Sequence, residues 1–190
     1  MKDFRGDRRS FLRRAFGGAV QHVAKATEER IIQRRYIRPP GAIPEIGFLA
    51  ACTRCGLCAG VCPPGAIRYA GADGGLASGT PFLEPDRVAC VACPDMPCAA
   101  VCPTGALILP EGRWHGVRLG TITFHPARCV TFRGDTCTAC ADECPIGDAA
   151  LVIDADGHPV LKAEGCVACG VCVRACPTSP SSMTFTPPER

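Results

Sequence analysis

The sequence is poor in aromatic residues and has no long apolar run. Only 6% of its 190 residues are Phe, Trp or Tyr, whereas 21 are Gly and 18 are Pro. A chain of this composition is rich in loops and builds a thin side-chain core. No run of eighteen apolar residues occurs, so the sequence predicts no membrane-spanning helix. We therefore expect the fold to depend on some further stabilising chemistry.

Motifs for substrate chemistry are also missing. The sequence shows no paired nucleophile and base, no glycine-rich phosphate loop and no flavin fingerprint. These are the features by which a catalytic site is usually recognised. The sequence therefore predicts a protein that is not an enzyme by itself.

Cysteine, in contrast, is abundant, with 16 residues. The cysteines form four groups of four, and each group ends in Cys-Pro. The first and last groups read C-x-x-C-x-x-C-x-x-x-C-P, while the second has a longer middle gap and the third a longer first gap. The groups are Cys52, Cys55, Cys58, Cys62; Cys90, Cys93, Cys98, Cys102; Cys129, Cys137, Cys140, Cys144; and Cys166, Cys169, Cys172, Cys176.

Three chemistries compete for these thiols. Disulfides need particular Cα separations, which cysteines two residues apart in a tight loop rarely reach. Structural zinc usually takes two C-x-x-C pairs that are well separated in sequence. A [4Fe–4S] cluster takes four thiolates, and in this spacing the cysteine before proline ligates the cluster of a second group. The pattern therefore predicts four [4Fe–4S] clusters that use all the cysteines as ligands.

Because the fourth cysteine of each group crosses over, the groups must work in pairs. The matching spacing of the outer two groups favours nested pairing, first with fourth and second with third. Sequential pairing, first with second and third with fourth, is the alternative. The nested assignment gives cluster 1 to Cys52, Cys55, Cys58 and Cys176, cluster 2 to Cys166, Cys169, Cys172 and Cys62, cluster 3 to Cys90, Cys93, Cys98 and Cys144, and cluster 4 to Cys129, Cys137, Cys140 and Cys102.

Short apolar or β-branched runs flank the cysteine groups and predict strands. The runs are 66–69, 80–83, 106–109, 121–124, 149–153, 159–161 and 183–185. Turn signals between them indicate hairpins. We expect an α+β fold with two ferredoxin-like modules of two clusters each within residues 39–190. Nested pairing places the outer module in residues 46–70 and 158–186, and the inner module in residues 80–153.

The charge is unevenly distributed. Residues 1–38 carry eleven Lys and Arg against four Asp and Glu, whereas residues 39–190 carry ten against fourteen. An oxidised cluster with four thiolates adds about −2, so four clusters would bring the formal +3 of the chain to roughly −5. Nucleic-acid binding needs a basic face, so none is predicted for the cluster-bearing region.

The chain resembles the MauM/NapG family of ferredoxin-type proteins over about residues 34–186. The resemblance lies in the lead-in RPPGAI, the stretch GTPFLEPDRVACVACPDMPCAAVCPTGAL, the wide-gapped third group and the closing CVACGVCVRACP. That family is associated with periplasmic nitrate reductase and methylamine dehydrogenase systems. The resemblance implies two ferredoxin-like modules, four [4Fe–4S] clusters and electron relay between a quinol-oxidising membrane protein and a redox acceptor.

Residues 1–38 predict a basic amphipathic helix. Apolar residues from Leu12 to Ile31 recur at steps of three and four, with arginines and lysines off that stripe. The helix could pack on its own protein, or residues 8–35 could contact an anionic membrane surface or an acidic partner. The stretch DRRSFLRRAF also resembles a twin-arginine export motif, but the apolar run that follows is short and holds two glycines. We expect a cytoplasmic, membrane-associated protein, with periplasmic export as the alternative.

Together these features predict an electron-transfer protein that works with redox partner proteins. It could be a free carrier or a permanent subunit of an oxidoreductase. The alternative function is an iron–sulfur maturation or assembly factor for a partner reductase.

Overall fold

The computed structural model describes residues 36–188. The predicted amphipathic helix in residues 1–38 therefore lies almost wholly outside the described residues. The helices are α1 (Glu45–Ala51), α2 (Leu57–Gly60), α3 (Pro97–Ala100), α4 (Ala139–Asp142) and α5 (Val171–Ala175). The strands are β1 (Ile67–Tyr69), β2 (Pro81–Leu83), β3 (Thr121–Phe124), β4 (Leu151–Ile153), β5 (Pro159–Leu161) and β6 (Met183–Thr186). Across residues 36–188, no helix has the length and apolar character that crossing a membrane requires.

The N-terminal half, residues 36–119, is organised around the hairpin of β1 and β2. The strands pair antiparallel with Ile67 opposite Leu83, and a 3₁₀ segment, Ala72–Ala77, connects them. Both of these side chains are buried, and they pack in one core with Phe48 and Met96. Residues 106–109 were expected to form a strand, but they contribute only a single bridge between Ala42 and Leu107.

The C-terminal half, residues 120–188, contains two antiparallel pairs. Strands β4 and β5 form a hairpin, while β3 pairs with β6 and so joins the two ends of this half. The turn of the hairpin is fixed by the Asp154 carboxylate, which accepts backbone N–H bonds from Asp156 at 3.0 Å and His158 at 2.8 Å. A second core, separate from the first, has Ile122, Leu151, Ala168, Cys172 and Met183 as its buried members.

The predicted outer and inner modules do not match this arrangement. Residues 46–70 pack with residues 80–119 rather than with residues 158–186, which pack with residues 121–153. The physical reason is that segments close together in sequence pair with each other. Each hairpin joins strands that are neighbours in sequence, and short connections favour such pairing over a nested one. The two halves are therefore consecutive along the chain.

The two halves meet through the loops that carry the second and fourth cysteine groups. The Cys90 N–H donates to the Cys169 carbonyl at 3.1 Å, and the Leu119 N–H donates to the Val167 carbonyl at 3.0 Å. Gly170, with φ +89°, also lies at this contact. A Cβ there would lie 2.7 Å from Cβ of Pro85, so the close approach of the halves requires glycine.

One buried arginine ties the lead-in segment to the N-terminal core. Arg38 is only 4% exposed. Its guanidinium pairs with the Glu45 carboxylate at 2.6 Å and donates to the Thr80 hydroxyl at 2.9 Å and the Pro81 carbonyl at 2.8 Å. It also lies 4.5 Å from the centroid of the Phe48 ring. The RPPGAI lead-in is thereby held against α1 and β2.

Candidate metal centres

The C-x-x-C loops share an unusual backbone feature. In the first, second and fourth groups, the residue just before the second cysteine has a positive φ: Arg54 at 60°, Ala92 at 45° and Ala168 at 55°. This conformation turns backbone N–H groups towards the sulfurs and forms a concave anion site of the kind found around iron–sulfur clusters. The N–H of Ala168, for example, donates to Sγ of Cys166 at 3.4 Å.

In the N-terminal half, two groups of four cysteines each line a cavity. In each group, three cysteines come from one sequence motif and the fourth is the cysteine before proline of the other motif. The apolar walls include Phe48 and Leu107 in the first cavity, and Met96 and Trp114 in the second. We name the groups site A, which is Cys52, Cys55, Cys58 and Cys102, and site B, which is Cys62, Cys90, Cys93 and Cys98.

The C-terminal half repeats this exchange between the third and fourth motifs. Site C, which is Cys144, Cys166, Cys169 and Cys172, lines a cavity of its own. Site D is Cys129, Cys137, Cys140 and Cys176. In site D, burial and then the charges of the other three thiolates raise the pKa of Cys140 to about 11, as expected for four cysteines that lie close together.

These groupings correct the nested assignment. The structure brings Cys102, not Cys176, to the first three cysteines, and it brings Cys62 to the second motif. It likewise brings Cys144 to the fourth motif. The physical reason is the consecutive packing of the two halves, which leaves the first and fourth motifs in different cores. The grouping is the sequential one, and ligation of iron by the sixteen cysteines stays a prediction.

The four sites follow one another in the order A, B, C, D. In each pair of neighbouring sites, a thiolate of one site raises the pKa of a thiol in the next, in addition to burial, which is the larger cause. The cysteines that join the sites are Cys58 and Cys98 from A to B, Cys90 and Cys169 from B to C, and Cys140 and Cys172 from C to D.

Burial makes several of these thiols weak acids. It raises the pKa of Cys58 to about 11 and the pKa of Cys90 to about 12, and nearby thiolates add to the effect. Burial likewise raises the pKa of Cys172 to about 12. Four such thiols cannot all ionise side by side unless a cation neutralises them. The electrostatics of the sites therefore fit a set of metal-bound thiolates.

The donor set fits a cluster better than a single ion. Among residues 36–188, no three His, Cys, Asp or Glu side chains are placed to hold one metal ion between them. Four sulfurs around one cavity, with N–H groups directed at the sulfurs, are instead what a [4Fe–4S] cube requires.

Hydroxyl groups at the sulfurs were not predicted from the sequence. Thr178 and Ser182 each place a hydroxyl 3.1 Å from Sγ of Cys176, and Thr131 places one 3.3 Å from Sγ of Cys129. Burial raises the pKa of Cys176, but the hydrogen bonds from the side chains and backbone of Ser182 and Thr178 outweigh burial and lower the pKa to about 6. The sequence signal was a threonine two residues after a cysteine, which occurs at positions 104, 131 and 178.

Comparison with known proteins agrees with this geometry. A family profile described as a 4Fe-4S dicluster domain matches residues 51–106, the span that contains every cysteine of sites A and B. The methylamine utilization ferredoxin-type protein MauM of Paracoccus denitrificans (strain Pd 1222) is 37% identical over 165 residues, which cover 82% of this chain and 73% of MauM. The ferredoxin-type protein NapG of Escherichia coli (strain K12) is 34% identical over 170 residues, or 84% of this chain and 71% of NapG.

The polyferredoxin protein MvhB of Methanothermus fervidus is also similar, with 36% identity over 122 residues, which cover 61% of this chain and 24% of MvhB. These matches support an iron–sulfur, 4Fe-4S protein of the electron-transfer class, an electron carrier rather than a catalytic enzyme. The resemblance seen in the motifs is confirmed, and the chain belongs to the MauM/NapG family of ferredoxin-type proteins.

Proposed function

We propose that the chain holds four [4Fe–4S] clusters, one in each of sites A to D, and relays electrons between two redox partners. The two halves would then be two dicluster ferredoxin-like modules. The observation that carries this proposal is the unbroken order of the sites, in which each pair of neighbours has cysteines close enough for a thiolate of one site to raise the pKa of a thiol in the next. When bound, a cluster of this kind supplies reversible one-electron chemistry.

The protein shields the sulfurs from water and fixes the positions of neighbouring sites. Apolar side chains wall the cavities of sites A, B and C, which limits the access of water to the sulfurs. The joint between the halves fixes sites B and C next to each other through the Cys90 to Cys169 hydrogen bond of 3.1 Å. If the two halves separated at this contact, sites A and B would no longer lie next to sites C and D.

Site A is the end that supports partner docking. Cys55 is the one exposed cysteine among the sixteen, all of which lie in residues 36–188. Leu57 and Tyr69 near it are each 47% exposed, which leaves apolar surface beside the outermost sulfur. We propose that a redox partner, an oxidoreductase or a quinol-oxidising membrane protein, exchanges electrons with the protein at this end.

The test is a reductive titration of the anaerobically reconstituted protein. We expect about four electrons to be taken up per chain and released again to an added oxidant with the visible absorbance restored. An assembly factor would behave differently. Its clusters would move to an apo-protein, and the absorbance would follow the recipient during purification. That outcome, without reversible reduction, would favour the maturation role.

The cellular location is proposed from the sequence alone, because residues 8–35 lie outside the described residues. We propose a cytoplasmic protein that associates with the membrane through this basic segment. Eleven Lys and Arg against four Asp and Glu in residues 1–38 favour an anionic surface. Export through a twin-arginine signal is the alternative.

A further inference from the structure

Site D differs from the other three sites in the number of hydroxyl groups at its sulfurs. The hydroxyls of Thr178 and Ser182 lie 3.1 Å from Sγ of Cys176, and the backbone N–H of Ser182 lies 3.3 Å from the same atom. Thr131 adds a hydroxyl 3.3 Å from Sγ of Cys129. A cluster-bound sulfur is a thiolate and carries no proton, so all of these groups must act as donors to it.

The other sites have fewer hydroxyl groups at their sulfurs. In site A, the Thr104 hydroxyl lies 3.7 Å from Sγ of Cys102, and the Leu107 N–H lies 3.4 Å from it. The backbone N–H groups of Thr104 and Ala106 also donate to Cys102, so site A has several donors but only one hydroxyl, at a longer distance. In site C, the Ala168 N–H donates to Cys166 at 3.4 Å. Within residues 36–188, no hydroxyl hydrogen-bonds to a sulfur of site B or site C. The closest and most numerous hydroxyl donors therefore belong to site D.

Two of the three hydroxyl donors of site D are buried. Ser182 is 3% exposed and Thr131 is 8% exposed. The Thr131 hydroxyl also lies 3.1 Å from Nδ1 of His158, whose ring stacks on Phe132 with centroids 3.9 Å apart. Because the hydroxyl has one proton, donation to Cys129 requires that Nδ1 of His158 donate to Thr131. The hydrogen bond from His158 therefore orients the Thr131 hydroxyl so that its proton is directed at Sγ of Cys129.

The carboxylates near site D disfavour negative charge at its sulfurs, whereas the hydroxyl donors favour it, but the effect of the carboxylates is weak. Asp142 and Glu143 follow Cys140 in the chain, and both are exposed. Water and salt screen exposed charges, whereas a buried hydrogen bond to a thiolate keeps its strength. At site D, the hydrogen-bond donors therefore have a larger effect on the charge of the sulfurs than the exposed carboxylates have.

We propose that these hydroxyl donors give site D the highest reduction potential of the four sites, so that the first electron taken up by the loaded protein rests there. This inference rests on the proposed function. A cluster gains one negative charge on reduction, and donors at its sulfurs stabilise that added charge. One electron is added from an external reductant such as dithionite, with no bond made or broken. Since site A is the exposed end, electrons would run from A towards D.

The test is a potentiometric titration, followed by EPR spectroscopy, of the fully loaded chain and of Ser182→Ala and Thr178→Val. Each variant removes one hydroxyl and leaves the backbone N–H of residue 182 in place. We expect the step of highest potential to fall in both variants, by about tenfold in its equilibrium constant, which for one electron is about 59 mV. The three later steps should keep their potentials.

Two matched variants make the result specific. Thr178→Ser keeps the hydroxyl and should restore the first step, whereas a purely structural role for the threonine methyl would leave that step altered. Thr104→Val removes the distant hydroxyl of site A and should leave the first step unchanged. A shift confined to a later step, or no shift in either site D variant, overturns the inference while the relay stands. Failure of the wild-type chain to take up electrons would instead remove the proposed function.

If Ser182→Ala does not bind its full complement of iron, the Thr178 pair decides the question. Thr178 is only partly buried, so its replacement disturbs the packing least. A first step that falls in Thr178→Val and recovers in Thr178→Ser supports the inference, and equal first steps in the two variants contradict it.

Discussion

At the scale of single residues, the most demanding polar contact outside the cysteines is that of Arg38. Its guanidinium is buried between the Glu45 carboxylate, the Thr80 hydroxyl and the Phe48 ring. A buried charge is tolerated only while its partners are in place. Arg38 therefore couples the lead-in segment, α1 and β2, and its stabilising effect should be large.

We predict that Arg38→Met lowers the stability of the loaded protein by about 3 kcal/mol, because an ion pair and two further hydrogen bonds are lost inside the core. The measurement is the midpoint temperature at which the visible cluster absorbance is lost on heating. For a chain of this size, the fall should be about 6–12 °C.

The control for this prediction is Arg68→Met. Arg68 also pairs with a glutamate, Glu84, at 3.3 Å, but the two side chains are 47% and 37% exposed. Exposed pairs contribute at most about 1 kcal/mol. Equal effects of the two substitutions would contradict the special role of the buried contact.

Residue-level features could be predicted only in part from the sequence. The spacing of the cysteines and the apolar runs beside them are explicit in the chain. The donors at Cys176 were not, because Ser182 lies six residues beyond the cysteine and approaches it only through the turn before β6. Hydrogen bonds of that kind depend on the path of the backbone, which residue spacing does not define.

At the scale of elements, the strands and the hairpins β1–β2 and β4–β5 were predicted well, whereas the pairing of β3 with β6 and the pairing of the cysteine groups were not. Runs at 66–69, 80–83, 121–124, 149–153, 159–161 and 183–185 all contain strands, while 106–109 contains only a bridge residue. The choice between nested and sequential pairing could not be made from cysteine spacing, because a cysteine before proline is equally able to serve either partner. Hairpin closure between β1 and β2, and between β4 and β5, decided it.

The sequential grouping predicts which cysteine is released when one motif is removed. In the full chain with Cys90→Ser, Cys93→Ser and Cys98→Ser, Cys62 loses its site and should react with iodoacetamide under native anaerobic conditions. Cys144 should stay protected, because its site C partners are intact. Peptide mass mapping of the alkylated protein reads out both positions at once.

A second triple variant serves as the matched control. With Cys52→Ser, Cys55→Ser and Cys58→Ser, we expect Cys102 to become reactive and Cys176 to stay protected. The nested assignment predicts the reverse in both variants, with Cys144 and Cys176 labelled. Labelling of that pattern would show that the grouping seen in residues 36–188 is not the one used by the loaded protein.

At the scale of the whole molecule, four consecutive sites are divided between two halves that each have their own core. The basic charge is concentrated in residues 1–38, whereas residues 39–190 carry an excess of Asp and Glu that four bound clusters would increase. We predict that deletion of residues 1–35 releases the protein from the membrane fraction and leaves its iron content unchanged. Immunoblots of fractionated cells, with iron analysis of the purified variant, check both statements.

Unchanged membrane association in the deletion variant would contradict the role proposed for residues 8–35. A variant in which the arginines at 8, 9, 13 and 14 are replaced by glutamine provides a milder comparison, because it keeps the length and the apolar stripe. If charge is the attraction, release should increase with each lost arginine and with added salt.

The most direct test of the whole account is the iron and sulfide content of the anaerobically reconstituted full chain, read together with its Mössbauer spectrum. Four occupied sites predict about sixteen irons and sixteen sulfides per chain, all in [4Fe–4S] form. A folded protein that reaches its full stability with zinc alone, or with cystine bridges among the sixteen cysteines, would contradict it.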